Sequence, residues 1–255
     1  MPRTGLGARQ DGVTMRRQLR AIGAVAVVGV IAGGAGACGL APRMTFTDDE
    51  VLTGEVRSVQ IDSESGGVTL RGGDGTTDVT VERKVEHRGD RPGDTYRLED
   101  GVLVLEGCGR YCSVTYVVDI PADVPVSGSV DAGALRLTRV GEVDVRTSSG
   151  VIEVDGVAGR LTAETSNGRI SGRGLGGRVD AESSNGSIDL VLDTPQDVRA
   201  RTSNGAIRVT VADAPYRVSA STSNGRVSSG VPDDPTADHE LDLTTSNGSI
   251  TVETS

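Results

Sequence analysis

Tryptophan is absent from these 255 residues, Phe occurs once and Tyr four times. A core built on large aromatic side chains is therefore excluded. Lysine occurs once, at Lys84, so Arg supplies almost all of the 26 basic residues. Only His87 and His239 are histidines, which leaves little for a metal site or a His-bearing triad. No segment keeps a helical period over a useful length, and no run offers the about 20 strongly apolar residues of a spanning helix. Beyond the start, acids outnumber bases. The net charge is −10, residues 1–37 contribute +4, and the remainder is therefore −14. An acidic body argues against a nucleic-acid partner and against electrostatic docking on an anionic membrane.

What is present begins with an address. From Met15, a second possible start, the chain reads "MRRQLRAIGAVAVVGVIAGGAGACG". Arg16, Arg17 and Arg20 form a basic region, Ala21–Ile31 an apolar one, and small residues follow, which is the layout of a secretory signal over residues 1–37. Ala35-Gly36-Ala37-Cys38 resembles a bacterial lipobox, in which small residues admit the cleavage enzyme and the Cys thiol takes a diacylglycerol. Ala35 departs from the usual Leu or Val. The expectation is lipidation at Cys38 and anchoring to the cell membrane; the alternative is an ordinary signal cut nearby. Residues 38–54 read as a tether.

Export permits disulfides. Cys108 and Cys112, in "GCGRYCS", lie four apart between two strand-like runs and are expected to close a turn. A metal site would want more ligands, and redox catalysis would want Cys-x-x-Cys beside a helix.

The body is repetitive. Ser-Asn-Gly recurs at 166–168, 184–186, 203–205, 223–225 and 246–248, each time between alternating apolar residues. Aligned on the glycine, the inward face reads Leu161, Ala163, Thr165, Ile170, then Val179, Ala181, Ser183, Ile188, then Val198, Ala200, Thr202, Ile207. The later copies give Val218, Ala220, Thr222, Val227 and Leu241, Leu243, Thr245, Ile250. Degenerate copies precede these at "EVDVRTSSGVIEV" and at "SVDAGALRL", where Val130 and Ala132 are read as inward, and "RSVQIDSESGGVTL" looks like another. Asn-Gly alone is a type I′ hairpin signal, and a meander satisfies the parity. Recurrence of the same residue type at the same depth favours stacked coils, whose equivalent residues lie about 4.8 Å apart. The fold expected is all-β, a single-stranded parallel β-solenoid of about seven coils over 129–255. Residues 55–128 form an N-terminal β region with an insertion, a capping role and a hairpin at Asp100-Gly101. The last coil, stopping at Ser255, is expected to be uncovered.

The "TSNGxI" and "SSNGSI" units, with "YVVDIPADVPVSGSV", resemble the DUF4097 family of bacterial β-strand-repeat, adhesin-like proteins over about residues 56–255. The resemblance implies a β-solenoid and an envelope location, and carries no catalytic residues.

Each conspicuous motif has a plainer reading. Asn167, Asn185, Asn204, Asn224 and Asn247 form a row that a linear glycan would fit, but corner residues bonding one another is the simpler account. Asn185-Gly-Ser and Asn247-Gly-Ser match a glycosylation sequon by chance. Arg88-Gly89-Asp90 is a three-residue match within an Arg-rich loop, and "PDDPTADHE" (232–240) reads as an acidic surface loop rather than a Ca²⁺ site. No Gly-x-Ser-x-Gly is present, and acids are scattered among Arg, Ser and Thr. The function expected is therefore a non-catalytic envelope lipoprotein. It would need no cofactor or metal, and its surface would meet an envelope protein or polysaccharide. An accessory role in envelope-stress signalling and a glycan-active enzyme are the alternatives.

Overall fold

The computed structural model describes residues 42–76 and 78–255. Cys38 lies outside them. All the regular structure among these residues is β. The N-terminal part comprises β1 (Arg43–Leu52), β2 (Ser58–Ser65), β3 (Val68–Gly73), β4 (Val79–Arg88), β5 (Tyr96–Glu99), β6 (Val102–Glu106) and β7 (Cys112–Pro121). Then follow β8 (Val126–Ala132), β9 (Leu135–Val140), β10 (Val143–Ser149), β11 (Ile152–Val157), β12 (Leu161–Asn167), β13 (Ile170–Leu175) and β14 (Val179–Asn185). The remainder are β15 (Ile188–Val191), β16 (Val198–Asn204), β17 (Ile207–Val211), β18 (Tyr216–Asn224), β19 (Val227–Ser229), β20 (His239–Asn247) and β21 (Ile250–Thr254).

These strands form two sheets, one of 11 and one of 10 strands, parallel except at the N-terminal end. Each coil gives one strand to each sheet. The registers follow the repeat alignment: Leu161 pairs with Val143 and Val179, Ala163 with Val145 and Ala181, and Ile170 with Ile152 and Ile188. All of these face the other sheet and are buried. A coil stacked on near-copies of itself must fit its neighbours at every depth, so Val, Leu, Ile and Ala fill the interior. The aromatic residues gather at the ends instead: Phe46, Tyr96 and Tyr116 at one, Tyr216 at the other.

Three expectations need correction. Residues 43–52 are not tether but strand β1, which pairs antiparallel along all of β4. Ala132 is not inward: Val126, Gly128 and Val130 align with Val143, Val145 and Thr147, which leaves Ala132 exposed at the corner beside Ser149. And the last coil is not uncovered. The pair β20/β21 sits between β16/β17 and β18/β19, so residues 216–229 form the terminal rung. The N-terminal end has the same device, with β2/β3 enclosed between β8/β9 and the later strands β6/β7.

Beyond β7, strands β4 and β1 continue one sheet antiparallel, and β5 continues the other as a hairpin with β6. The β5–β6 turn has φ of 49° at Asp100 and 78° at Gly101, the left-handed pair that a type I′ hairpin requires.

Candidate functional site

The repeated corner is the most regular constellation, and its chemistry is internal. The glycines 150, 168, 186 and 205 are not left-handed, in contrast to Gly101. They are glycine because neighbouring corners almost touch. A Cβ on Gly168 would lie 1.8 Å from the Gly150 carbonyl oxygen, and one on Gly186 would lie 1.8 Å from that of Gly168. Each corner N–H donates to the next rung: Gly150 to Asn167 O at 3.0 Å, Gly168 to Asn185 O at 3.0 Å and Gly186 to Asn204 O at 2.9 Å. The buried hydroxyl three residues before each glycine then donates to the neighbouring corner carbonyl. Thr165 reaches Gly150 O at 3.1 Å, Ser183 reaches Gly168 O and Thr202 reaches Gly186 O, both at 3.0 Å.

The five asparagines line up in spatial order 167, 185, 204, 247, 224. Asn185, Asn204, Asn247 and Asn224 each donate from Nδ2 to the Oδ1 of the preceding member, at 3.0–3.1 Å. For Asn185, Asn247 and Asn224 a second Nδ2 contact goes to a serine carbonyl of the neighbouring rung. For these three residues both amide hydrogens are spoken for within the ladder, so a glycan would have to compete with bonds already made.

On the outer faces, charges of opposite sign pair from rung to rung. Arg146 meets Glu164 at 2.9 Å, Arg136 meets Glu153 at 2.8 Å, Arg173 meets Asp155 at 2.7 Å and Arg201 meets Asp242 at 2.7 Å. The first three pairs are exposed and individually weak, and the last is half-buried. Glu153, Asp155 and Asp189 line a shallow groove of about 470 Å³ on the larger sheet. Each carboxylate there has an arginine, and the Arg173 hydrogen bond holds Asp155 below the ordinary carboxylate range. General-acid work needs the opposite shift.

Cys108 and Cys112 are disulfide-bonded, with Cα atoms 5.5 Å apart. The bond closes the loop that carries Gly109, Arg110 and Tyr111 into β7. Arg88 ends β4, Gly89 is left-handed at φ 84°, and Asp90 is exposed. In the acidic loop, Asp233 Oδ1 accepts from the Val218 N–H at 2.9 Å and the Asp234 N–H donates to Tyr216 O at 2.9 Å. The Asp234 carboxylate accepts from Thr236 twice, which keeps its pKa low. That loop therefore covers the start of the free edge of β18, at Tyr216 and Val218. Among the described residues no group of three or more His, Cys, Asp or Glu is placed to hold a metal ion.

Sequence reasoning missed a buried polar cluster in the N-terminal end. Arg83 is 7% exposed; its guanidinium grips Asp48 at 2.6 and 3.0 Å and donates to Gly93 O and Thr95 Oγ1. The Tyr116 hydroxyl meets Thr95 O, Thr95 Oγ1 and Glu106 O. Tyr96 donates to Glu50 at 2.6 Å. The signal was available: in Val79-Thr-Val81-Glu-Arg83-Lys-Val85-Glu-His87, strand parity turns Arg83 and His87 inward with three valines.

Two mostly parallel sheets stacked in register, with one glycine corner per repeat, define the class: a parallel β-solenoid. The Toastrack DUF4097 family model matches residues 126–253, and the chain belongs to that family. No curated protein matches it. Among solved structures, a "putative adhesin" of Bacteroides fragilis is 14% identical, with a TM-score of 0.48, over 83% of this chain and 97% of that one. A "putative adhesin" of Parabacteroides distasonis gives 11% identity and 0.47 over 81% and 96%. A "putative cell adhesion protein" of Clostridium sporogenes gives 11% and 0.36 over 82% and 100%.

Proposed function

We propose that this is a non-catalytic cell-envelope lipoprotein, anchored through Cys38, whose solenoid of stacked coils offers an extended surface to an envelope protein or polysaccharide. The observation that carries the reading is where the repeated polar residues go. The buried hydroxyls, corner glycines and asparagines bond one another, while the acids of the outer groove are neutralised by arginines. The repeats thus supply a stiff, flat-faced scaffold, and the variable outward rows of Arg, Asp, Glu and Ser supply its contacts. The signal layout and Ala35-Gly36-Ala37-Cys38 support the anchor.

Fractionation of cells carrying wild type and Cys38→Ala, with intact-mass measurement, tests it. The wild type is expected in the membrane with the mass of an added diacylglycerol, and the variant released without it. A variant that stays membrane-bound at unshifted mass would overturn the anchor. For the surface, purified protein is expected to bind isolated cell envelopes. Charge reversal at Arg146 and Arg201 should weaken that binding without altering the circular dichroism spectrum. Absence of binding by wild type would sink the interaction reading.

A further inference from the structure

The end of the rod where the described chain begins is electrically divided. β1 starts with Arg43 and Met44 and turns acidic at Asp48, Asp49 and Glu50. Pairing places Arg43 opposite Arg88, and His87 opposite Cys112. The Arg88 N–H donates to Tyr111 O at 3.1 Å, which draws the disulfide-closed loop onto the same corner. Arg43, Glu86, Arg88 and Tyr111 line one groove there. Tyr111 is 77% exposed, the most exposed large hydrophobic among the described residues. Tyr111 is also held left-handed at φ 62°, an unfavourable conformation for a bulky residue. Arg110 is exposed beside it. Glu86 is paired with Lys84 at 3.1 Å, and Asp90 follows two residues after Arg88. The corner thus concentrates arginines around an exposed Tyr on a body whose net charge is strongly negative.

Four residues separate Cys38 from Arg43, and the five chain steps between them reach at most about 18 Å. Resting on the lipid-anchor reading, we infer that this corner sits on the headgroup layer of an anionic bilayer, with Tyr111 at the interface and Arg43, Arg88 and Arg110 on lipid phosphates. Tyrosine favours that depth, and arginines near an anionic surface are attracted to it. Asp49 and Glu50, farther along β1, are repelled from the same surface, so the rod is held by one corner with its terminal rung pointing away. The acidity of the whole body, which argues against membrane docking, does not describe this corner.

Because the chain has no Trp, Tyr111→Trp makes a sole fluorescent reporter, and Val191→Trp on the outer face of β15 makes its control. Full-chain protein purified from membranes is reconstituted in phosphatidylglycerol–phosphatidylethanolamine vesicles with brominated acyl chains. The indole of Tyr111→Trp is expected to shift to the blue and lose emission, and that of Val191→Trp to do neither. Adding Arg43→Glu, Arg88→Glu and Arg110→Glu to the Tyr111→Trp reporter should abolish the quenching while the protein still sediments with the vesicles. A Tyr111→Trp protein that sediments with its indole unquenched overturns the docking. Intact mass judges the anchor separately. Sedimenting, quenched protein without added lipid keeps the docking and rejects the anchor, whereas unlipidated protein that does not sediment rejects both.

Discussion

A glycine in this chain can be required for either of two reasons, and they respond differently to substitution. At Gly101 the reason is its φ; at Gly186 it is the carbonyl of Gly168, which a Cβ would approach to 1.8 Å. Backbone on both sides of the corner is locked by the Gly186-to-Asn204 and Gly168-to-Asn185 bonds, so neither rung can retreat cheaply. Gly186→Ala should therefore destabilise by about 3 kcal/mol, the scale of overpacking in a tight core, or prevent folding. Gly93 provides the control. Its φ is not left-handed and nothing lies within 4 Å of an added Cβ. Gly93→Ala should change stability by no more than about 0.5 kcal/mol. Urea midpoints of the two variants check this; equal midpoints would remove the close-approach account of the Ser-Asn-Gly repeat.

At the scale of the element, alternation and repetition made the strands legible. The inward rows were readable because every copy repeats residue type as well as polarity, and stacking rewards type. The hairpin at Asp100-Gly101 was readable because two residues with φ above zero select their own sequence. The pairing of β1 was not. "RMTFTDDEVL" has few apolar residues and leaves much of the strand exposed, so no buried face announces it. Its place depends on residues far away in sequence, Arg83 for Asp48 and Tyr96 for Glu50. That cluster joins β1, β4, β5 and β7 and has a pH signature. Burial pushes Tyr116 up from its ordinary value to about 12, and burial with the Glu50 hydrogen bond raises Tyr96 as well. A raised pKa favours the protonated form in the fold. The contribution is complete below about pH 10 and is lost as pH climbs towards 12. Two units correspond to roughly 2–3 kcal/mol for Tyr116. Urea unfolding at about pH 8.5 and about pH 11.5 should show the loss, and Tyr116→Phe should reduce it, leaving the part due to Tyr96, while costing stability at both. An unchanged slope in that variant would place the alkaline sensitivity elsewhere.

At the scale of the molecule, the order of rungs escaped the sequence because each rung presents nearly the same face to either neighbour. A residue-type difference between the last two nevertheless explains which is outermost. Leu241, Leu243, Ile250 and Val252 face the interior from β20/β21 and are fully buried. The matching positions of β18/β19 are Val218, Ala220, Val227 and Ser229, which have less apolar surface to lose by facing water. The larger set is enclosed and the smaller one closes the stack. The acidic loop after β19 then occupies the outer edge only at Tyr216 and Val218, so among the described residues the rest of β18 and all of β19 have no further rung. Local opening should follow position in the stack rather than position in the chain. Amides of 219–229 are expected to exchange hydrogen at least about tenfold faster than those of 241–252, although the latter lie nearer the C-terminus. Hydrogen exchange read by mass spectrometry on peptides from the two segments decides it. Faster exchange in 241–252 would mean that the final strands fray from the end of the rod, and that the enclosed position of β20/β21 is wrong.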